Sequence, residues 1–398
     1  MGQVRLPASK SLSNRALLIH ALCPRQGTLH NVAQCDDTAA MTRGLAATGG
    51  HVNVGAAGTA MRFLTAFFAT REGVQVTIDG TERMRRRPIG VLVDALRQLG
   101  ARITYLDREG YPPLRVTGAP LAATAPLRLA GDVSSQFVSA LLMIAPVAGG
   151  LTLELTGEVV SRPYIEMTLA MMREHGVEAT ASGNTITVPA GDYLPRHYHV
   201  ESDWSAASYW YAFVTLLPGS RVRLQGLQPR SLQGDAVVGV LMQGLGVRTV
   251  FDHQSALIAH IGDTKIDGFS ADFSDIPDLA QTFVVLMCAL GLPFSITGLR
   301  TLRIKETDRL AALQKELKKA GFSVEITADS IAWDGQRKNA ENRPIFSTYD
   351  DHRMAMSLAL LATRFPSIVI RDPQVVTKSY PLFWEQLLHL GFSIGHNE

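Results

Sequence analysis

Cations, hydroxyls and carboxylates recur in this 398-residue sequence at one kind of place, the polar mouth of an apolar run. "SKSLSNRALL" groups Lys10, Ser11 and Arg15. A point charge, a hydroxyl and a planar fork together suit phosphate or carboxylate, although Ser9 or Ser11 could equally cap a helix. "GTAMRF" sets Gly58 and Thr59 ahead of Arg62; glycine there admits a ligand close to the backbone or simply makes a turn. "RMRRRPIG" gathers Arg83, Arg85, Arg86 and Arg87, a run that would also suit nucleic acid. "SSQF" offers Ser134, Ser135 and Gln136, fit for a phosphorylated polyol or for capping, and "SRPYIE" adds Ser161, Arg162 and Tyr164. In the second half, Asp278 of "DIPD" is a base candidate or a partner for a helix dipole. "RIKETDRL" holds Glu306 between Lys305 and Arg309, an acid–base group or a surface ion-pair string. "DDHRMAM" brings Asp350, Asp351, His352 and Arg353 but no second His or Cys at metal-ligand spacing, and "VTKSYP" brings Lys378.

The elements that carry these groups repeat. An amphipathic stretch, a glycine and an alternating strand recur at Gly50, Gly100, Gly176, Gly246, Gly321 and Gly391. A glycine there ends a helix in the left-handed conformation. The polar mouths, each followed by an apolar helix, begin at Ser9, Ala56, Asp132, Ser202, Ser274 and Asp350. Both patterns share a period of about 70 residues, except that the first copy is some 20–25 residues short. A helix apolar on every side belongs inside a domain. The pattern therefore predicts six α/β units in two groups of three, with helices enclosed by sheet and several positive helix ends opening on one face.

Composition limits what could bind. A net charge of +2, 46% hydrophobic and 19% charged residues describe a near-neutral globular chain without a broad basic face, which argues against nucleic acid. Cys23, Cys35 and Cys288 lack both disulfide parity and metal spacing, and suit a reducing cytoplasm. The first apolar run, from Ala16, is too short for a signal peptide, and Phe283 to Leu292 is too short to span a bilayer. Cations concentrated at mouths in a near-neutral chain point to a cleft between two domains for a highly anionic small molecule, and for two molecules together.

Between Leu6 and about Leu390, "LPASKSLSNRALL", "AAGTAMR", "RMRRRPIG", "GDVSSQFVSALLM", "KETDRL", "DHRMAM" and "TKSYP" stand in the order of the 5-enolpyruvylshikimate-3-phosphate synthase family, which the chain closely resembles. The resemblance implies a two-domain inside-out α/β barrel of six βαβαββ repeats, three per domain, the first shortened. Residues 9–202 would form one domain, and 1–8 with 203–398 the other. It implies transfer of the enolpyruvyl group of phosphoenolpyruvate to the 5-hydroxyl of shikimate 3-phosphate, on the route to chorismate and aromatic amino acids. It also implies a cytoplasmic monomer without cofactor, metal, nucleic-acid or membrane partner, and closure of the domains on the substrates. Ser11, Arg15, Ser134, Ser135, Ser161, Thr301 and Lys305 would hold shikimate 3-phosphate, with Lys10, Gln136 and Asp278 beside it. Lys10, Gly58, Arg87, Gln136, Arg309, Arg353 and Lys378 would hold phosphoenolpyruvate. Asp278 would be the base toward the 5-hydroxyl and Glu306 the proton donor and acceptor at the methylene carbon, with Lys10 and Lys378 assisting.

Two departures stand out. Ala56 replaces the family's usual Asn, which removes an amide from the phosphoenolpyruvate side and bears on sensitivity to glyphosate, the family's inhibitor. Thr301 stands where many members carry Asn. The sister family acting on UDP-N-acetylglucosamine has a Cys in the loop read here as "RMRRRPIG", which has none. A non-catalytic binder of phosphorylated metabolites would have lost the acid–base residues, whereas Asp278 and Glu306 are present.

Overall fold

The computed structural model describes residues 2–25, 27–262 and 266–395. The chain divides into two compact α/β units, Ser9–Val200 and Met1–Ala8 with Glu201–Glu398.

In Ser9–Val200 the apolar helices are Lys10–Leu22, Gly58–Ala69 and Ser135–Ile144. Every residue of Gly58–Ala69 is buried except Thr59, which is why this sequence carries no polar face. Two four-stranded sheets share one plan. In the first, Gly50–Asn53 runs parallel to Gln75–Asp79, followed by antiparallel Leu114–Thr117 and Arg102–Tyr105. In the second, Leu127–Ala130 is parallel to Leu151–Thr156, followed by Thr185–Val188 and Thr180–Ser182. The third sheet is only a parallel pair, Thr28–His30 with His197–His199. After the helix Asp36–Leu45 the chain enters Gly50–Asn53 directly, so the short first copy leaves no chain for an antiparallel pair.

The other unit buries Trp204–Leu216, Ala280–Leu290 and His352–Leu358. Its first sheet takes the N-terminal strand: Gly2–Arg5 is parallel to Arg221–Gln225, followed by Ser255–His260 and Val247–Asp252. The second runs Phe269–Asp272, Phe294–Thr297, Ile331–Trp333 and Glu325–Ile326. The third is again a parallel pair, Ile345–Phe346 with Val369–Ile370. The strand expected after Gly391 is absent among the described residues. The helix Phe383–His389 ends there and 392–395 are irregular.

Local chemistry fixes the helix ends. Asp203 Oδ1 accepts from the Ala206 N–H at 2.8 Å, and Asp308 Oδ1 from Ala311 at 3.1 Å. Gly321 sits at φ +85°, and a Cβ there would stand 2.5 Å from the Lys338 carbonyl oxygen, so only glycine can end the helix Arg309–Lys319 here.

Candidate active site

Within Ser9–Val200, helix mouths gather around Arg15. Its Nε donates to Thr168 Oγ1 at 2.7 Å, its Nη2 to Ser139 Oγ at 2.9 Å and the Tyr164 carbonyl at 3.3 Å, and its Nη1 to the Ser11 carbonyl at 3.0 Å. Burial lowers its pKa to about 10, still far above neutrality, so the guanidinium stays charged. Most of its donors thus tie the helices Lys10–Leu22, Ser135–Ile144 and Arg162–Glu174 together. Lys10 Nζ lies 3.2 Å from Asp37 Oδ2. Ser134 caps its helix by accepting from the Gln136 N–H at 3.4 Å, and Ser135 is the first helical residue. Gln136 Nε2 donates to Thr59 Oγ1 at 3.1 Å, which joins the "SSQF" and "GTAMR" mouths. Ser161 is buried at φ 55° at the start of the next helix.

The four-arginine cluster divides. Arg85 Nε bonds Asp79 Oδ1 at 2.9 Å and Arg86 bonds Glu82 at 3.0 Å, leaving no continuous basic face. Arg87 turns inward, 6% exposed, and its Nε has no hydrogen-bond partner among the described residues. A Cβ on Gly58 would meet its guanidinium atoms at 2.5–2.8 Å. Gly58 therefore lets a buried cation lie against the N-terminus of Gly58–Ala69, whose cap Ala57 supplies no side-chain bond. Two positive features side by side suit an anion.

In the other unit one guanidinium organises the acids. Arg309 Nη1 is 3.0 Å from Asp278 Oδ1, Nη2 is 3.0 Å from Glu306 Oε2, and Nε is 2.7 Å from Asp351 Oδ2. Burial opposes its charge, but these three carboxylates outweigh burial and hold its pKa above the usual value. Asp278 also receives Arg353 Nη2 at 3.0 Å, and Lys305 Nζ lies 3.6 Å away. Lys378 Nζ donates to the Asp350 carbonyl. Thr301 lies outside this cluster, and its buried hydroxyl has no hydrogen-bond partner among the described residues.

Several participants were not singled out from the sequence. Asp37, Ser139 and Thr168 hold the first set. In the second, the Ser205 hydroxyl donates to Asp235 Oδ2 and accepts from Arg353 Nη2 at 3.3 Å. Burial, then the like charge of Asp278, lifts Asp235 to about 7, with Arg353 pulling the other way. The only signal for it was an acid inside the otherwise apolar "GDAVVGVLM". The buried Tyr209 phenol, pushed up to about 12 by burial, lies near Arg353 and Arg309.

The profile of one family, EPSP synthase (3-phosphoshikimate 1-carboxyvinyltransferase), matches residues 1–54 and 46–387. The chain belongs to the EPSP synthase family. A 3-phosphoshikimate 1-carboxyvinyltransferase of Bacteroides fragilis strain YCH46 is 49% identical over 398 residues, covering 99% of this chain and 96% of that protein. One from Cellvibrio japonicus is 39% identical, covering 96% and 95%. Among solved structures, EPSP synthase from Acinetobacter baumannii superposes with a TM-score of 0.76 at 21% identity, over 98% of this chain and 95% of that one. The enolpyruvyl transferase NikO from Streptomyces tendae gives 0.74 at 16% identity, over 100% and 96%. These two show a shared α/β fold. For an EPSP synthase family member, the cations at helix ends and the carboxylates gathered on one guanidinium are the features that need a chemical role.

Proposed function

We propose that the chain transfers the enolpyruvyl group of phosphoenolpyruvate to the 5-hydroxyl of shikimate 3-phosphate, giving 5-enolpyruvylshikimate 3-phosphate and phosphate. The observation that carries the mechanism is the fork of Arg309, which holds Asp278 on one amino group and Glu306 on the other, each at 3.0 Å. The reaction needs two acid–base groups in fixed relation. The hydroxyl loses a proton as its oxygen bonds C2, and C3 gains a proton, giving a tetrahedral phosphate ketal. Elimination returns the C3 proton and expels phosphate. Asp278 takes the hydroxyl proton, and Glu306 serves C3 as acid and then as base.

Arg309, Arg353 and Lys378 hold the anionic groups of phosphoenolpyruvate. As those groups bind, they draw the cations off the carboxylate of Asp278, whose two oxygens are otherwise both occupied. Lys305 and Thr301 belong to the shikimate 3-phosphate side. In Ser9–Val200, Ser11, Arg15, Ser134, Ser135 and Ser161 hold shikimate 3-phosphate. Gln136 serves both substrates, and Lys10, Gly58 and Arg87 face phosphoenolpyruvate. Buried and aimed cations gain strength where water is excluded.

The finer architecture is part of this reading. Each unit carries three βαβαββ-derived repeats with apolar helices inside and sheet outside, supported, among the described residues, by three buried apolar helices and three sheets in each, one of them a parallel pair. We read the chain as a cytoplasmic monomer. The buried cysteines are free of disulfides, and no helix among the described residues is long and apolar enough to cross a membrane.

The test is phosphate release with both substrates. Wild type should turn over, whereas Glu306→Gln and Asp278→Ala should lose about 10²–10⁴-fold in kcat. A wild type that releases no phosphate, or variants that match it, would overturn the assignment.

A further inference from the structure

Glu316 is a fully buried carboxylate, 0% exposed, on the helix Arg309–Lys319. It lies seven residues after Arg309, two turns along the same face. Its Oε2 accepts from the Ser347 N–H at 2.9 Å and from Lys319 Nζ, and its Oε1 from the Tyr349 hydroxyl at 2.5 Å. Lys319 Nζ also donates to the Ile345 carbonyl at 2.7 Å, so the segment from Ile345 to Tyr349 is fastened at three points.

The fastened segment is strained. Tyr349 and Asp350 both stand at φ 55°, two consecutive non-glycine residues in the left-handed region. Each costs on the order of 1–3 kcal/mol and persists only where its surroundings over-determine it. The cationic cluster hangs on this turn. The Asp350 carbonyl receives Lys378, Asp351 receives Arg309 Nε and caps the helix that carries Arg353, and Arg353 reaches Asp278. One turn therefore sets three cations, and the buried acid on the neighbouring helix sets the turn.

We infer that Glu316 and Tyr349 are positioning residues: their hydrogen bond holds the strained turn at 349–350 in the register that presents Arg309, Arg353 and Lys378 to phosphoenolpyruvate. Neither touches substrate. The inference rests on the assignment of those cations in the proposed function. Burial, together with the bond to Glu316, raises the Tyr349 phenol, in keeping with a hydroxyl that only donates.

Tyr349→Phe keeps the ring and removes the bond, and Glu316→Gln keeps the shape but turns an amide toward the Ser347 N–H and Lys319. Steady-state kinetics of phosphate release should show KM for phosphoenolpyruvate rising about tenfold in both, with KM for shikimate 3-phosphate within twofold. Adding Asp350→Gly to Tyr349→Phe should recover at least a third of that loss, because glycine adopts the left-handed conformation without strain. If the melting temperature falls while both KM values stay put, or both rise equally, the pair only stabilises the fold and the inference is wrong. Failure of Glu316→Gln to fold leaves the decision to Tyr349→Phe, whose change is a single hydroxyl. A wild type without turnover counts against the functional assignment; normal turnover in wild type with unmoved phosphoenolpyruvate KM in the variants counts against this inference alone.

Discussion

Arg87 and Gly58 show how a single missing carbon makes room for a buried cation, which the proposed function sets against phosphoenolpyruvate. Because a Cβ at Gly58 would collide with the guanidinium, Gly58→Ala should push Arg87 off the helix end. The expected result is a KM for phosphoenolpyruvate raised about tenfold, roughly 1.4 kcal/mol. The melting temperature should barely move, since the displaced group is the far end of a flexible side chain. Kinetics alongside a thermal melt would decide it. Asp235 makes a second prediction, through pH. Its folded pKa of about 7 lies above the ordinary 3.8. Below 3.8 the group is protonated folded or unfolded and contributes no difference. As pH rises toward 7 the unfolded chain ionises while the folded chain keeps its proton, so stability falls, and above 7 the cost is constant. Urea midpoints of wild type should therefore decline from pH 5 to 7 relative to Asp235→Asn, and the gap should stop growing above about pH 8. Parallel curves across that range would show that Asp235 holds no such proton. Sequence made the grouping of Lys305, Glu306 and Arg309 legible, since residues so close along a short loop and the helix start that follows it cannot lie far apart. It did not reveal that Arg15 is bound to Ser139 and Thr168, or that Asp235 answers Asp278 and Arg353. Those pairings join residues 43 to 153 positions apart, and nothing local encodes them.

At the level of elements, apolar helices and their terminal glycines were readable because burial and the left-handed end each demand particular side chains. Gly321→Ala should accordingly destabilise the fold by about 1–2 kcal/mol from backbone conformation alone, and more from its approach to Lys338. A urea titration reads this directly. Asp203→Ala, which removes the side-chain cap of Trp204–Leu216, should cost about 1 kcal/mol by the same measurement. Strands were harder. "GFSIG" alternates like a strand, yet Gly391 and Phe392 donate back to Leu388 and Leu387 of the preceding helix, and among the described residues the stretch pairs with no strand. Alternation reports which face is apolar, whereas a strand also needs a partner for its N–H and C=O groups. The same limit hid the two sheets that stop at a parallel pair.

The whole molecule is organised by two passages of the chain, after Ala8 and after Val200. Val4, 1% exposed, lies in a strand paired with Arg221–Gln225. Val4→Asp should therefore expose amides of Arg221–Gln225 to hydrogen exchange and leave the sheets of Ser9–Val200 protected. Equal loss in both units would show that they do not open independently. That pairing also has a consequence in time. During synthesis Gly2–Arg5 emerges ahead of Ser9–Val200, yet the strand it lies against comes more than 200 residues later. At ordinary rates of elongation it waits on the order of ten to forty seconds, unpaired, while Ser9–Val200 gathers its own helices and sheets. Residues made ahead of Ser9–Val200 are housed only after it, because their place in the sheet does not exist until Arg221–Gln225 has been made.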